Sequence, residues 1–275
     1  MIVVEMKNEH GEVYVAGAEL SEFKHEFDGR CWWCGAEKVT SEHKFKRSDL
    51  KALGDDALLW TDGVEWQQLR SSGDRRARHN QKNLCSRCNN ERSQPADRAW
   101  QALSEYTFEN WVTMGGRDTL DLGELYGDHP LELSRQALEL QQYVVRQLGC
   151  RISNDGFRVP DDIRSYLDSG ANNGSLGICL FYSHERAALM DRQAPITMLS
   201  IGPLIATISK SKRIPTALVT EICVGPVGAL VKWSSDEPVG GTIASRFANV
   251  YSRAGLPYLE IHQPWPILES DPGPE

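Results

Sequence analysis

Two Cys-x-x-Cys pairs, "CWWC" at 31–34 and "CSRC" at 85–88, constrain this chain more than any other feature. Each pair can bite one metal ion, and two pairs complete a closed tetrahedral thiolate site of the kind that holds structural Zn²⁺. Cys31, Cys34, Cys85 and Cys88 are therefore the expected zinc ligands. Gly35 suits a knuckle whose tight turn points backbone N–H groups at sulfur. A thioredoxin-like redox pair would need only one Cys-x-x-Cys in a βαβ context, which the pattern lacks, and an iron–sulfur site is the other alternative.

The remaining cysteines, Cys150, Cys179 and Cys223, sit singly in apolar surroundings and read as small buried hydrophobes. Seven cysteines, an odd number, argue against a disulfide framework. The first residues, "MIVVEMKNEHGEVYVAG", carry no basic leader and read as a β-hairpin turning at "NEHG". No apolar run is long enough for a bilayer span, so no membrane partner is expected and the cytoplasm is the expected location. The formal charge is −8, but residues 24–100 carry 15 Lys/Arg against 12 Asp/Glu. Their basic residues cluster in "HKFKRSDLK" and "RRARHNQK", a patch that could face phosphates or form an ordinary solvated loop.

Beyond residue 95 the patterning is regular. "PADRAWQALSEYTFENWV" places Pro95 and Asp97 in a helix first turn and repeats Trp100, Leu103 and Trp111 at helical spacing. "LELSRQALELQQYVVRQLG" predicts a second helix with a glycine stop before Cys150, and "PDDIRSYL" a short third. "LGICLFY", "ITMLSIG", "PLIATIS", "TALVTEICVG" and "VGALVKW" are β-branched strand patterns. The Gly-Pro junctions in "IGPLIA" and "VGPVGA" predict two hairpins, hence a mainly antiparallel sheet rather than a βαβ series. The fold class is α+β. Its expected parts are an N-terminal hairpin at 1–23, a zinc-stabilised unit at 24–115 with an insertion at about 50–78, and a C-terminal α+β domain at 116–275. The insertion should be partly helical and packed on the knuckle, and the tail 269–275 disordered.

Structural zinc leaves Glu42 and His43 unexplained. They follow the knuckle on a strand-like "KVTSEHKF", while Asn89 follows the second cysteine pair where a helical turn begins. A carboxylate and an amide oxygen are hard ligands suited to Mg²⁺ or Mn²⁺. A histidine beside them can accept a proton near neutral pH.

Taken together, Cys31, Cys34, Gly35, Glu42, His43, Cys85, Cys88 and Asn89 resemble the motif of the HNH endonuclease family, in the branch carrying "CNN" after the second cysteine pair. The likeness covers residues 28–100. It implies a ββα-metal fold and hydrolysis of DNA phosphodiesters, with RNA as the alternative substrate. His43 would be the general base, Glu42 and Asn89 the Mg²⁺ or Mn²⁺ ligands, and either Asn80 or Asn83 the residue that orients the imidazole. A role in defence against foreign DNA follows from analogy alone. The chain departs from the family in using Glu42 for the commoner Asp, in lacking the proline three residues after the histidine, and in ending on Asn rather than His. Those departures favour the rival reading, an inactive zinc-stabilised module that binds nucleic acid or protein. The acidic C-terminal region suits a homo-oligomeric or regulatory contact better than phosphate binding. Trp32 and Trp33 fit knuckle packing better than base stacking, and "YSHERAA" lacks the signature of a nucleophile elbow.

Overall fold

The computed structural model describes residues 6–7, 13–16, 24–53, 59–61, 66–115, 117, 119–191, 199–209, 214–235, 256–257 and 259–260. The predicted "NEHG" turn and the tail 269–275 lie outside them. From the amino end, β1 (Met6–Lys7) pairs antiparallel with β2 (Val13–Ala16). The knuckle leads into β3 (Val39–His43), then α1 (Arg47–Ala52) and the paired strands β4 (Leu59–Thr61) and β5 (Trp66–Gln68). β6 (Arg78–Cys85) returns antiparallel to β3 and runs through a π-helical turn, Arg87–Arg92, into α2 (Gln94–Met114). A strand pair followed by a helix is thus built around the two cysteine pairs.

The chain continues through β7 (Thr119–Leu120), α3 (Leu122–Tyr126), α4 (Pro130–Asn154), α5 (Asp161–Ser169), β8 (Leu176–Tyr182) and α6 (His184–Asp191). It ends in β9 (Leu199–Ile201), β10 (Ile205–Ser209), β11 (Ile214–Val224), β12 (Val227–Ser234), β13 (Leu256–Pro257) and β14 (Leu259–Glu260). The main sheet runs β1-β2-β10-β11-β12-β8-β14, with β9 beside β11. Its pairings are antiparallel except β14 on β8. β13 pairs with β7. The fold is α+β, and the amino-terminal hairpin extends the C-terminal sheet through β2 and β10. No helix of the described residues is long and apolar enough to cross a membrane.

Three local expectations give way. "VGPVGA" is a hairpin, with Gly225 at φ +53° joining β11 to β12. "IGPLIA" is not, because β9 and β10 both pair with β11, one along Ile222–Val224 and the other along Ile214–Val219. Pro203 has no N–H to give a ladder, so the Gly-Pro step interrupts one edge instead of reversing it. Gly202 keeps its own bond, N–H to the Glu221 carbonyl at 2.9 Å. The described residues of the insertion gather in a cluster separate from the one that holds Trp32 and Trp33. Leu50 joins Leu69 and Ala77 in a small separate cluster, and Asp49 of α1 accepts hydrogen bonds from Trp100 and Ser104 of α2. Among the single cysteines, Cys150 and Cys223 are buried, whereas Cys179 is half-buried.

The third correction concerns α4. It does not stop at Gly149 but continues to Asn154, and its side chains are buried on almost every face from Leu140 to Ile152. This helix is a core element, packed against β6, α2, α5 and the sheet strands β11 and β12. Gly149 is needed for close approach rather than for termination. A Cβ there would lie 2.4 Å from Cη2 of Trp32, far inside van der Waals contact. Trp32 and Trp33 are both buried and stack with ring centroids 6.2 Å apart, so the knuckle is seated directly on α4.

Gly149→Ala should destabilise the protein by about 1–3 kcal/mol, because overpacking against a rigid indole outweighs the gain in helix propensity. Urea unfolding of the two proteins at fixed zinc content measures the difference; equal midpoints would remove Trp32 as the reason for glycine.

Candidate metal and catalytic site

The four sulfur atoms of Cys31, Cys34, Cys85 and Cys88 lie within 4.8 Å of one another and could hold a metal ion such as zinc. The Cys34 and Cys85 sulfurs are 3.5 Å apart. The knuckle is shaped by the Gly35 N–H donating to the Cys31 carbonyl at 2.8 Å, with Gly35 at φ +78°. The Cys88 N–H donates to the Cys85 sulfur at 3.4 Å, and the Arg92 guanidinium donates to the Cys88 sulfur at 3.6 Å. Hydrogen bonding with Cys88 holds the Cys31 thiol well below its ordinary range. Four sulfurs, once deprotonated, make the soft, anionic donor set that zinc prefers. Around it, Arg92 lies 4.4 Å over the Trp33 ring and pairs with Asp168, which also accepts from the Trp33 indole N–H at 2.6 Å. The cage is thereby fastened to α5.

Beside the cage, β3 and the π-helical turn bring Glu42, His43 and Asn89 to one cavity of about 400 Å³. The Asn89 amide lies within hydrogen-bonding reach of the Glu42 carboxylate and donates to the Thr40 hydroxyl at 3.3 Å. Glu42 is only 6 % exposed. Burial pushes its carboxyl up to about 7, against the pull of Arg146 and the Asn89 hydrogen bond; Asp97 adds to the upward shift. His43 is half-buried, and burial together with the charges of Arg78 and Arg47 holds its pKa below 6.5. The imidazole is therefore neutral at pH 7 and able to accept a proton. Its Nε2 is buried and has no hydrogen-bond partner among the described residues.

The two asparagine alternatives lie elsewhere. Asn83 is fully buried and donates to the Cys150 carbonyl at 3.0 Å, which ties β6 to α4. Asn80 is exposed, and its backbone N–H donates to the Asn154 side chain at 2.8 Å. Among the described residues neither makes a hydrogen bond to His43.

Four charged residues of the cavity were not read from the sequence as site residues: Lys46, Arg47, Asp97 and Arg146. Arg146 comes from α4 and is 2 % exposed. Its two terminal nitrogens donate to Asp97 at 2.8 and 3.2 Å, and one lies 3.5 Å from Glu42. Burial alone would lower its pKa, but Asp97 and Glu42 outweigh it and hold the guanidinium charged. Lys46 donates to the Asp97 carbonyl and to Gln101 at 3.0 Å. The available signal was an arginine inside an otherwise buried helical run, "YVVRQL", since a charge in a core helix needs a partner.

Next to Arg78, which sits opposite His43 across the strand pair, His79 is shut into the interior of β6. Neither ring nitrogen has a hydrogen-bond partner among the described residues, and burial, with Arg151 and Lys44 nearby, depresses its pKa to about 3. It stays neutral and supplies no proton chemistry near pH 7.

Comparison with known proteins found no matching family model, no matching curated protein and no matching solved structure.

Two measurements follow from this geometry. The purified protein should hold one zinc per chain by metal analysis, and Cys85→Ser should lose the metal and melt at lower temperature. For His79, the folded pKa lies below the unfolded value of 6.5, so its stabilisation is complete above 6.5 and is lost as pH falls toward about 3. The loss should approach roughly 1.4 kcal/mol per pH unit. Comparing urea unfolding of wild type and His79→Leu between pH 7 and 5 isolates this slope from Glu42, which titrates with the opposite sign. Parallel curves would contradict it.

Proposed function

We propose that this chain is a metal-dependent endonuclease of the HNH type that hydrolyses phosphodiester bonds in DNA. The observation that carries the reading is the convergence of Glu42, His43 and Asn89 on one cavity beside a four-cysteine cage, on a strand pair followed by a helix. His43, neutral at pH 7, accepts the proton of a water attacking phosphorus. Glu42 and Asn89 are the candidate hard donors for Mg²⁺ or Mn²⁺; the Asn89 amide, whose nitrogen faces Thr40 and Glu42, would turn its oxygen to such an ion. When bound, that ion supplies charge neutralisation at the phosphoryl oxygens and the leaving oxygen. Asp97 grips Arg146 through two hydrogen bonds, which fixes the guanidinium beside Glu42 and favours the ionised carboxylate. The cysteine cage supplies rigidity and takes no part in the chemistry. A cytoplasmic site of action against foreign DNA is in keeping with this activity.

One observation favours the rival reading of an inactive binding module: Glu42 already has a cationic neighbour in Arg146, and neither Asn80 nor Asn83 reaches His43. Supercoiled plasmid separates the two. Wild-type protein with Mg²⁺ or Mn²⁺ should nick it, and His43→Ala should slow nicking by about 10²–10⁴-fold, the usual loss on removing a general base. The variant should keep its zinc and melting temperature. Equal rates in both proteins, or none in either across DNA and RNA substrates, would sink the nuclease.

A further inference from the structure

β6 carries an outward row of side chains that the proposed chemistry leaves unused. His79 and Asn83 are buried, whereas Arg78 is half-buried and Asn80 and Lys82 are exposed. Residues two apart on a strand share a face, so Arg78, Asn80 and Lys82 line one side of the ribbon. Cross-strand partners share that face: His43 stands opposite Arg78, and Ser41 opposite Lys82. At the rise of a strand, the row from Arg78 to Lys82 is about 14 Å long. Arg47, the first residue of α1, is exposed and lines the cavity that also holds His43. Arg47 and Arg78 both act on the His43 pKa, so both lie close to the imidazole.

These cations have no local balance. The side chains of Arg47, Arg78 and Lys82 make no hydrogen bond or ion pair among the described residues, and the Arg78 Nε is buried without a partner. Residues 38–53 and 66–92 carry 12 Lys/Arg against four Asp/Glu. Three of those four carboxylates are engaged elsewhere. Glu42 and Asp49 are buried against Arg146 and against Trp100 and Ser104, and Asp74 accepts the backbone N–H groups of Arg70 and Arg76. The excess calls for an anion from outside. A row of cations suits repeated charge better than a single ion, and guanidinium forks match phosphate oxygens. Because the row ends at His43, the fitting polyanion is a sugar–phosphate backbone.

Resting on the nuclease reading, we propose that the outer face of the β3–β6 ribbon is the docking track for one strand of duplex DNA, whose phosphates beside the scissile one are held by Arg78, Arg47 and Lys82. The track reads backbone alone, so it is indifferent to sequence. It draws neither on the buried Arg146 cluster nor on a divalent ion.

Fluorescence anisotropy of a short labelled DNA duplex with the full-length, zinc-replete protein, in buffer free of Mg²⁺ and Mn²⁺, reads docking without turnover. Affinity should fall with salt, with a log–log slope of about −0.9 for each phosphate contacted. Arg47→Gln, Arg78→Gln and Lys82→Gln should each weaken binding severalfold and make that slope shallower by about 1. Arg135→Gln, on an arginine of α4 already paired with Glu132 and Glu139, should change neither. Lys82 is fully outward, so its variant keeps the test alive should Arg78→Gln fail to fold. Absence of duplex binding would overturn the proposal. So would affinity indifferent to Lys82→Gln and Arg47→Gln, or competition by polyglutamate as strong as by unlabelled DNA. Plasmid nicking, run separately, judges the nuclease reading. Docking without His43-dependent nicking would remove the nuclease and leave the track; nicking with docking indifferent to these substitutions would do the reverse.

Discussion

A guanidinium sealed in a protein interior is tolerated only with close acidic partners, and the arrangement around Arg146 follows from that constraint. Asp97 from the first turns of α2 and Glu42 from β3 converge on it from two different elements. Removing one member of such a buried set leaves a stranded charge and typically costs about 3–5 kcal/mol. The cluster therefore locks β3, α2 and α4 into one relative placement. Lys46, donating to the Asp97 carbonyl and Gln101, draws the start of α1 to the same point.

What the sequence made legible was what lies close together along the chain. The cysteine pairs declare themselves because a metal bite needs only i, i+3 spacing. The helices at 94–114 and 161–169 and the strands β8, β11 and β12 follow from local periodicity. Glu42, His43 and Asn89 could be grouped in advance because the cysteine pairs bring their neighbours with them. Arg146 stands 104 positions beyond Glu42 and 49 beyond Asp97. No local pattern joins residues so far apart, so the ion cluster appears only in the fold.

The misread elements share a cause. Glycine and proline announce that the backbone is doing something unusual without saying what. At Gly-Pro 202–203 the outcome was a break in one sheet edge rather than a reversal, a choice made by β11, which is long enough to pair with both flanking segments. At Gly149 the missing side chain serves the indole of Trp32 and not the end of a helix. In both places the deciding partner is remote, and the residue itself is compatible with either role.

The seat of Trp32 on Gly149 has a bearing on the cavity as well. Gly149 and Arg146 are three residues apart on α4, hence on the same side of the helix and about one turn from each other. The indole's seat on Gly149 and the guanidinium's contact with Glu42 are therefore neighbouring features of one helix face. The four-cysteine cage, which carries that indole between Cys31 and Cys34, and the arginine that pairs with Glu42 thus meet the same helix within one turn.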